Sequence, residues 1–167
     1  VMMRLAIVSD THDNWPLVVD AIKAEGNIDY LIFLGDYVSD GRQMEKALQI
    51  PTFLVRGNCD SYEDGPGELV VELGGWRLLL CHGHFYSVKE TLEELYVHGV
   101  EEQVDFVLFG HTHQAYYREG KVVMINPGSV SKFNLMLNDA SWGLLTLSKE
   151  KNEKNFIKYE KKTCQML

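Results

Sequence analysis

Short, continuous apolar runs recur along the chain, and each is cut off by glycine or by a polar residue. Leu5-Ala6-Ile7-Val8 and Tyr30-Leu31-Ile32-Phe33-Leu34 have the length of strands buried on both faces. Between them, Trp15 to Glu25 spaces Leu17, Val18, Ala21 and Ile22 at helical intervals, with Pro16 suited to a first turn and Gly26 to a stop. Strand, helix and strand of this length make a βαβ unit, so the two strands are parallel neighbours. Gly41 to Ile50 reads as a second helix, and Thr52 to Val55 as a third strand.

The second half changes rhythm. Glu68 to Leu73 and Trp76 to Cys81 flank Gly74-Gly75, a strong two-residue hairpin signal. Val88 to His98 is an amphipathic helix by spacing, stopped by Gly99, and Asp105 to Phe109 is another buried-type strand. A hairpin follows over Ala115 to Arg118 and Val122 to Ile125, then a turn at Asn126-Pro127-Gly128-Ser129. Gly143 to Leu147 and Phe156 to Tyr159 close the chain as antiparallel strands around a polar turn. With α/β units first and hairpins later, the expected fold is α/β, an αββα sandwich of two mixed β-sheets flanked by helices. A single mixed sheet is the alternative. No repeat or linker divides the chain, so residues 1–167 read as one domain.

Charge narrows the function classes. The net charge of −8 argues against non-specific nucleic-acid binding through a basic face, and any bound anion needs a local positive charge. Three cysteines, Cys59, Cys81 and Cys164, make no complete disulfide set and contain no Cys-x-x-Cys, which favours a reducing compartment. No secretion signal and no apolar run of membrane-spanning length is evident, so the expectation is a cytoplasmic protein without a membrane partner.

The candidate chemistry lies where the strands end. Five strand ends carry, in order, Asp10 with His12, Asp36, Asn58, His82, and His111 with His113. In open α/β sheets the ligand crevice lies beyond the carboxyl ends of the strands. In extended backbone, Asp10 and His12 would point to the same side. All seven are oxygen or nitrogen donors and none is a thiolate, which suits Mn²⁺, Fe²⁺, Co²⁺, Ni²⁺ or Zn²⁺ better than Mg²⁺ or Ca²⁺. Seven are too many for one transition metal with an open position. With one shared carboxylate they suit two divalent ions. Any one of Asp10, Asp36 and Asn58 alone would read as a helix cap or turn former; their common placement with four of the six histidines reverses that.

Asp10-x-His12, Gly35-Asp36, Gly57-Asn58-x-Asp60, Cys81-His82-Gly83 and Gly110-His111-x-His113 together resemble the five blocks of the calcineurin-like metallophosphoesterases. The similarity is to the small phosphodiesterases of the YfcE type, which share the Asn126-Pro127-Gly128-Ser129 phrase. The resemblance implies one metal held by Asp10, His12, Asp36 and His113, and another by Asp36, Asn58, His82 and His111, with Asp36 as the bridge. It implies hydrolysis of a small phosphoester by a metal-bridging hydroxide, with Mn²⁺ first among the candidate ions and Asn58 helping to stabilise charge. Many relatives carry His where this chain has Cys59. That departure points to phosphodiesters with good leaving groups rather than alkyl phosphomonoesters. Asp60 is expected to orient its neighbours or bind through water.

Other residues have plainer expectations. His98 reads as a surface residue near a helix end, His84 as structural, Arg56 as a loop residue and Cys81 as strand packing. Asp13 and Asn14 read as helix-capping or supporting residues. Tyr116, Tyr117 and Phe133 are expected in the core or at a subunit contact, so a homo-oligomer stays open, and Glu90, Glu93 and Glu94 on a solvated helix face. Two further readings compete: a scaffold similar to a retromer subunit of like fold with little turnover, and a protein binding a single metal ion.

Overall fold

The computed structural model describes residues 1–165. The chain opens with β1 (Met2–Val8), α1 (Trp15–Ala24), β2 (Tyr30–Phe33), α2 (Val38–Leu48) and β3 (Thr52–Leu54). It continues through β4 (Glu68–Leu73), β5 (Trp76–Cys81), α3 (Glu93–Glu101), β6 (Phe106–Leu108), β7 (Tyr116–Arg118) and β8 (Val123–Asn126). It closes with α4 (Lys132–Met136), β9 (Ala140–Ser148) and β10 (Ile157–Cys164). Two five-stranded sheets result, in the orders β10-β9-β1-β2-β3 and β4-β5-β6-β8-β7. Both are mixed: β1, β2 and β3 are parallel while β9 is antiparallel to β1, and β5, β6 and β8 are parallel between antiparallel β4 and β7.

The period of two along the strands explains the layering. Leu5 and Ile7 of β1 and Ile32 of β2 meet Leu78, Leu80, Phe106 and Leu108 between the sheets. The intervening Ala6, Val8, Leu31 and Phe33 face Val18, Ile22 and Met44 of α1 and α2. On the far side, Leu79, Cys81 and Val107 pack with Leu95 of α3. This is the two-sheet sandwich, and the single-sheet alternative is excluded.

The helices depart from the apolar pattern where contacts distant in sequence intervene. α2 begins at Val38 rather than Gly41, because its first N–H groups are capped from another loop: Val38 and Tyr37 donate to Asp60 Oδ1 at 2.8 and 3.1 Å. α3 starts later than Val88, which is taken up with its neighbours by a turn in which Glu90 and Thr91 donate to the Ser87 carbonyl. It runs through Gly99 instead of stopping there, since a Cβ on Gly99 would strike Val107 Cγ2 at 2.5 Å and only glycine lets helix and sheet come this close. Strands β1, β9 and β10 exceed their apolar runs because β9 pairs with both neighbours over nearly its whole length.

Gly41, inside α2, makes a similar approach: an added Cβ would meet Leu54 Cδ2, and Phe33 Cγ at 2.8 Å. Gly41→Ala should therefore overpack this interface and destabilise the fold by about 1–3 kcal/mol. Urea denaturation is expected to show a lower midpoint with an unchanged m-value; an unchanged midpoint would mean that α2 has room to shift.

Candidate metal centre

Three of the five donor-bearing strand ends turn through left-handed backbone. Asp10 (φ 55°), His12 (42°), Asp36 (58°), His111 (70°) and His113 (63°) all have positive φ, uncommon for residues other than glycine. Extended alternation therefore does not bring Asp10 and His12 together, contrary to the expectation from their spacing. A sharp turn does. Such turns persist only where surrounding contacts hold them, and they concentrate at functional sites.

The turns make the side chains converge. Asp10, His12 and His113 offer donor atoms within 4.8 Å of one another, and so do Asp10, Asp36 and His82. Asp10 is common to both groups, whereas Asp36 falls in the second. Asp10 Oδ1 lies 3.2 Å from His113 Nε2 and 3.6 Å from His82 Nε2, and Asp36 Oδ2 lies 3.3 Å from His82 Nε2. His111 Nδ1 is 3.3 Å from His82 Nε2. Asn58 is exposed on the β3–β4 loop, its amide 3.8 Å from Cys59 Sγ.

These residues fit divalent cations by two observations. Asp10 is fully buried, yet its Oδ1 has no hydrogen-bond donor, and the buried His12 Nε2 has no partner either. A buried polar atom left this way costs about 1–3 kcal/mol, more for a charged group, unless something else satisfies it. Moreover, His82 Nδ1 lies 2.8 Å from the Leu34 carbonyl, which can only accept, so Nδ1 carries a proton and Nε2 is the nitrogen turned toward the carboxylates. That is the outer hydrogen bond a metal-binding histidine makes. Burial lowers the His82 pKa, but Asp36 and Asp10 outweigh it and raise the net value. Burial raises Asp36 in turn, but His82 and the Cys59 contacts hold it below the usual carboxylate range. The pocket carries more negative charge than its own groups balance.

A set of neighbours holds the turns in place. The Asp60 carboxylate accepts four backbone N–H groups: Asp36 (3.0 Å) and Gly57 (2.8 Å) at Oδ2, Tyr37 and Val38 at Oδ1. It acts as a positioning residue, its oxygens committed to the backbone. Cys59 N donates to Asp36 Oδ1 at 2.9 Å, while burial and the Asp36 charge push the Cys59 thiol up to about 11. A Cβ on Gly57 would collide with Asp36 Oδ1, and one on Gly110 with Ser9 Oγ and Asp10 Oδ2, so both glycines exist to let carboxylates in. Ser129 Oγ donates to the Asp10 carbonyl at 2.8 Å, and Asn126 Nδ2 to the Gly110 carbonyl at 3.1 Å, so the turn after β8 ties the first donor loop to the last.

Asp40 is a supporting residue that sequence reasoning misses. Buried at the start of α2, it accepts from Thr11 Oγ1 and Asp13 N, both at 2.7 Å, and pins the loop bearing His12. Its signal is faint, one Asp just ahead of the expected helix. Arg56 donates to the Gly65 carbonyl as a loop residue, and Asn14 donates to the Val130 carbonyl. His84 packs on Phe85 near His82 and His111. His98 lies in the last turn of α3, near the helix end as expected, but it is half-buried, 3.0 Å from Glu68 Oε2 and stacked on Tyr86. Tyr116 packs against the α3-side core and Tyr117 stacks on Tyr159, but Phe133 is 67% exposed and lies outside the core. Glu90, Glu93 and Glu94 are exposed as expected, and no helix of the described residues is long and apolar enough to cross a membrane.

Known proteins share this architecture. The chain is 34% identical over 151 residues to the probable metallophosphoesterase YsnB of Bacillus subtilis, covering 89% of this chain and 86% of that protein. It is 29% identical over 144 residues to the phosphodiesterase MJ0936 of Methanocaldococcus jannaschii, covering 75% of this chain and 83% of that one. The fold superposes on Vacuolar Protein Sorting 29 from Cryptosporidium parvum with a TM-score of 0.75 at 19% identity, covering 97% and 98% of the two chains. Residues 3–150 match the model of the calcineurin-like phosphoesterase superfamily domain, and this chain belongs to that family.

Proposed function

We infer that the chain is a metal-dependent phosphoester hydrolase acting on phosphodiesters. The observation that carries this reading is the buried, unpartnered Asp10 Oδ1 amid His113, His82 and the Asp36 carboxylate. Asp10, His12, Asp36 and His113 would hold one divalent ion, and Asp36, Asn58, His82 and His111 the other. The nitrogen and oxygen donor set suits Mn²⁺, Fe²⁺, Co²⁺, Ni²⁺ or Zn²⁺. Bound there, such ions would supply positive charge to the phosphoryl oxygens and acidify the attacking water.

The protein's own part is orientation. Asp60 fixes the turn that presents Asp36, Asp40 fixes the turn that presents His12, and the Leu34 carbonyl fixes the His82 tautomer. The phosphodiesterase assignment draws support from the name of the archaeal relative. The likeness to Vacuolar Protein Sorting 29 keeps a scaffold role in view. The buried, unpartnered Asp10 Oδ1 and His12 Nε2 call for a cation in either case, and the name of the archaeal relative favours the enzyme.

Bis(4-nitrophenyl) phosphate should be hydrolysed with added Mn²⁺ or Ni²⁺, stop with EDTA, and resume when metal is restored. Turnover indifferent to the chelator ends the reading. Asp10→Ala should lower kcat/KM by at least roughly 1,000-fold, as expected for loss of several kcal/mol of transition-state stabilisation. Elemental analysis should find much less metal in Asp10→Ala and Asp36→Ala than in Asn58→Ala; equal contents in all three would contradict the ligand assignment. Gly57→Ala places a methyl where the Asp36 carboxylate lies. It should reduce kcat/KM on the order of 100-fold, the scale of an ångström-sized misplacement, while the circular dichroism spectrum stays that of the parent.

A further inference from the structure

Beside His111 and His113 a cavity of about 280 Å³ opens, lined also by Lys89, Phe133, Leu137 and Asp139. Phe133 and Leu137 are 67% and 60% exposed, so both leave most of their apolar surface in water next to the polar centre. Large apolar side chains gathered at a cleft mark a binding surface more often than chance exposure does.

Phe133 stands on α4 and Leu137 follows directly at its end, and the helix is fixed relative to the donors. The Asn134 side chain, almost fully buried, donates from Nδ2 to the His113 carbonyl at 2.9 Å and to the Asp139 carbonyl at 3.3 Å. Ser131 Oγ caps the same helix by accepting from Asn134 N. The apolar wall is thus held in register with a donor of the proposed centre. Lys89 belongs to the same lining, beside His111 and His113.

The charge of the lining bears on the ligand. Lys89 and Asp139 cancel, so the cavity adds no net positive charge to that of the centre. A doubly charged phosphomonoester gains nothing here. A singly charged phosphodiester with an uncharged, apolar arm matches both the wall and the charge.

We propose that Phe133 and Leu137 form a subsite for the aromatic or apolar arm of a phosphodiester whose phosphoryl group lies at the end of the cavity lined by His111 and His113. This rests on the phosphoester reading above and adds the residues that select the substrate. The arm reaches Phe133 and Leu137 through contacts that desolvate both partners.

The probes are two singly charged, non-hydrolysable anions, methyl(phenyl)phosphinate and dimethylphosphinate, titrated calorimetrically into Mn²⁺-loaded protein. The phenyl compound should bind about tenfold tighter, the gain expected from burying the extra ring surface. In the double variant Phe133→Ser, Leu137→Ser that preference should fall to within about twofold, with dimethylphosphinate binding unchanged. Phe133→Tyr, which keeps the ring, should retain the preference. Equal binding of both anions to the parent overturns the subsite and leaves the phosphoester centre standing. The subsite is likewise overturned if the phenyl preference survives in the double variant, including when that variant instead changes its oligomeric state in sedimentation and so assigns the face to contact between copies. Binding of neither anion removes the phosphoester reading itself, and the subsite with it.

Discussion

A carboxylate oxygen buried without a donor is unfavourable, and this fold is built to keep one in place. Asp10 has no solvent exposure, and its Oδ2 is satisfied by Ser9 Oγ and His111 N while Oδ1 is left facing imidazole nitrogens. A strand end open to solvent would let water satisfy that oxygen. Instead the strand is sealed between α1 on one face and the second sheet on the other, so the apolar layers that stabilise the sandwich also desolvate the carboxylate at its end. The same burial that holds the fold together thus creates the demand for a cation.

That arrangement persists because the rest of the site is over-determined. Positive φ at five donor residues would relax toward ordinary backbone if the loops were free. Three of the turns are restrained from distant parts of the chain: Asp36 by Asp60, 24 positions away; Thr11, beside His12, by Asp40, 29 positions away; the Asp10 carbonyl by Ser129, 119 positions away. None of these restraints is local, so the site can form only once both sheets have docked.

This division explains what the sequence shows and what it conceals. Strand ends are legible because an apolar run followed by Asp, Asn or His is a pattern of adjacent residues. The order of sheets is legible in outline because βαβ units and glycine hairpins are also local. The start of α2 is not, because its cap is Asp60 on another loop rather than a neighbouring side chain. The end of α3 is hidden because Gly99 resembles a helix stop, while its real constraint is the closeness of Val107. α4 carries a readable signal, Ser131 ahead of Lys132 to Met136, but only five residues of helix behind it. The conformation that aims Asp10 and His12 differs from the expected one, since side-chain spacing in extended backbone says nothing about a left-handed turn.

The acidic composition looks at odds with a phosphate-binding role, and the site resolves the conflict. On the proposed ligand set, the anionic groups are Asp10 and Asp36, and the remaining donors are neutral. Two divalent ions would then leave the centre with a surplus of about two positive charges, confined to a desolvated pocket where each acts more strongly than on an exposed surface. A basic surface patch would instead attract any polyanion and lose strength in salt. Placing the positive charge on ions held by buried carboxylates would let the exterior stay acidic and would reserve anion binding for a phosphoryl group small enough to reach the strand ends.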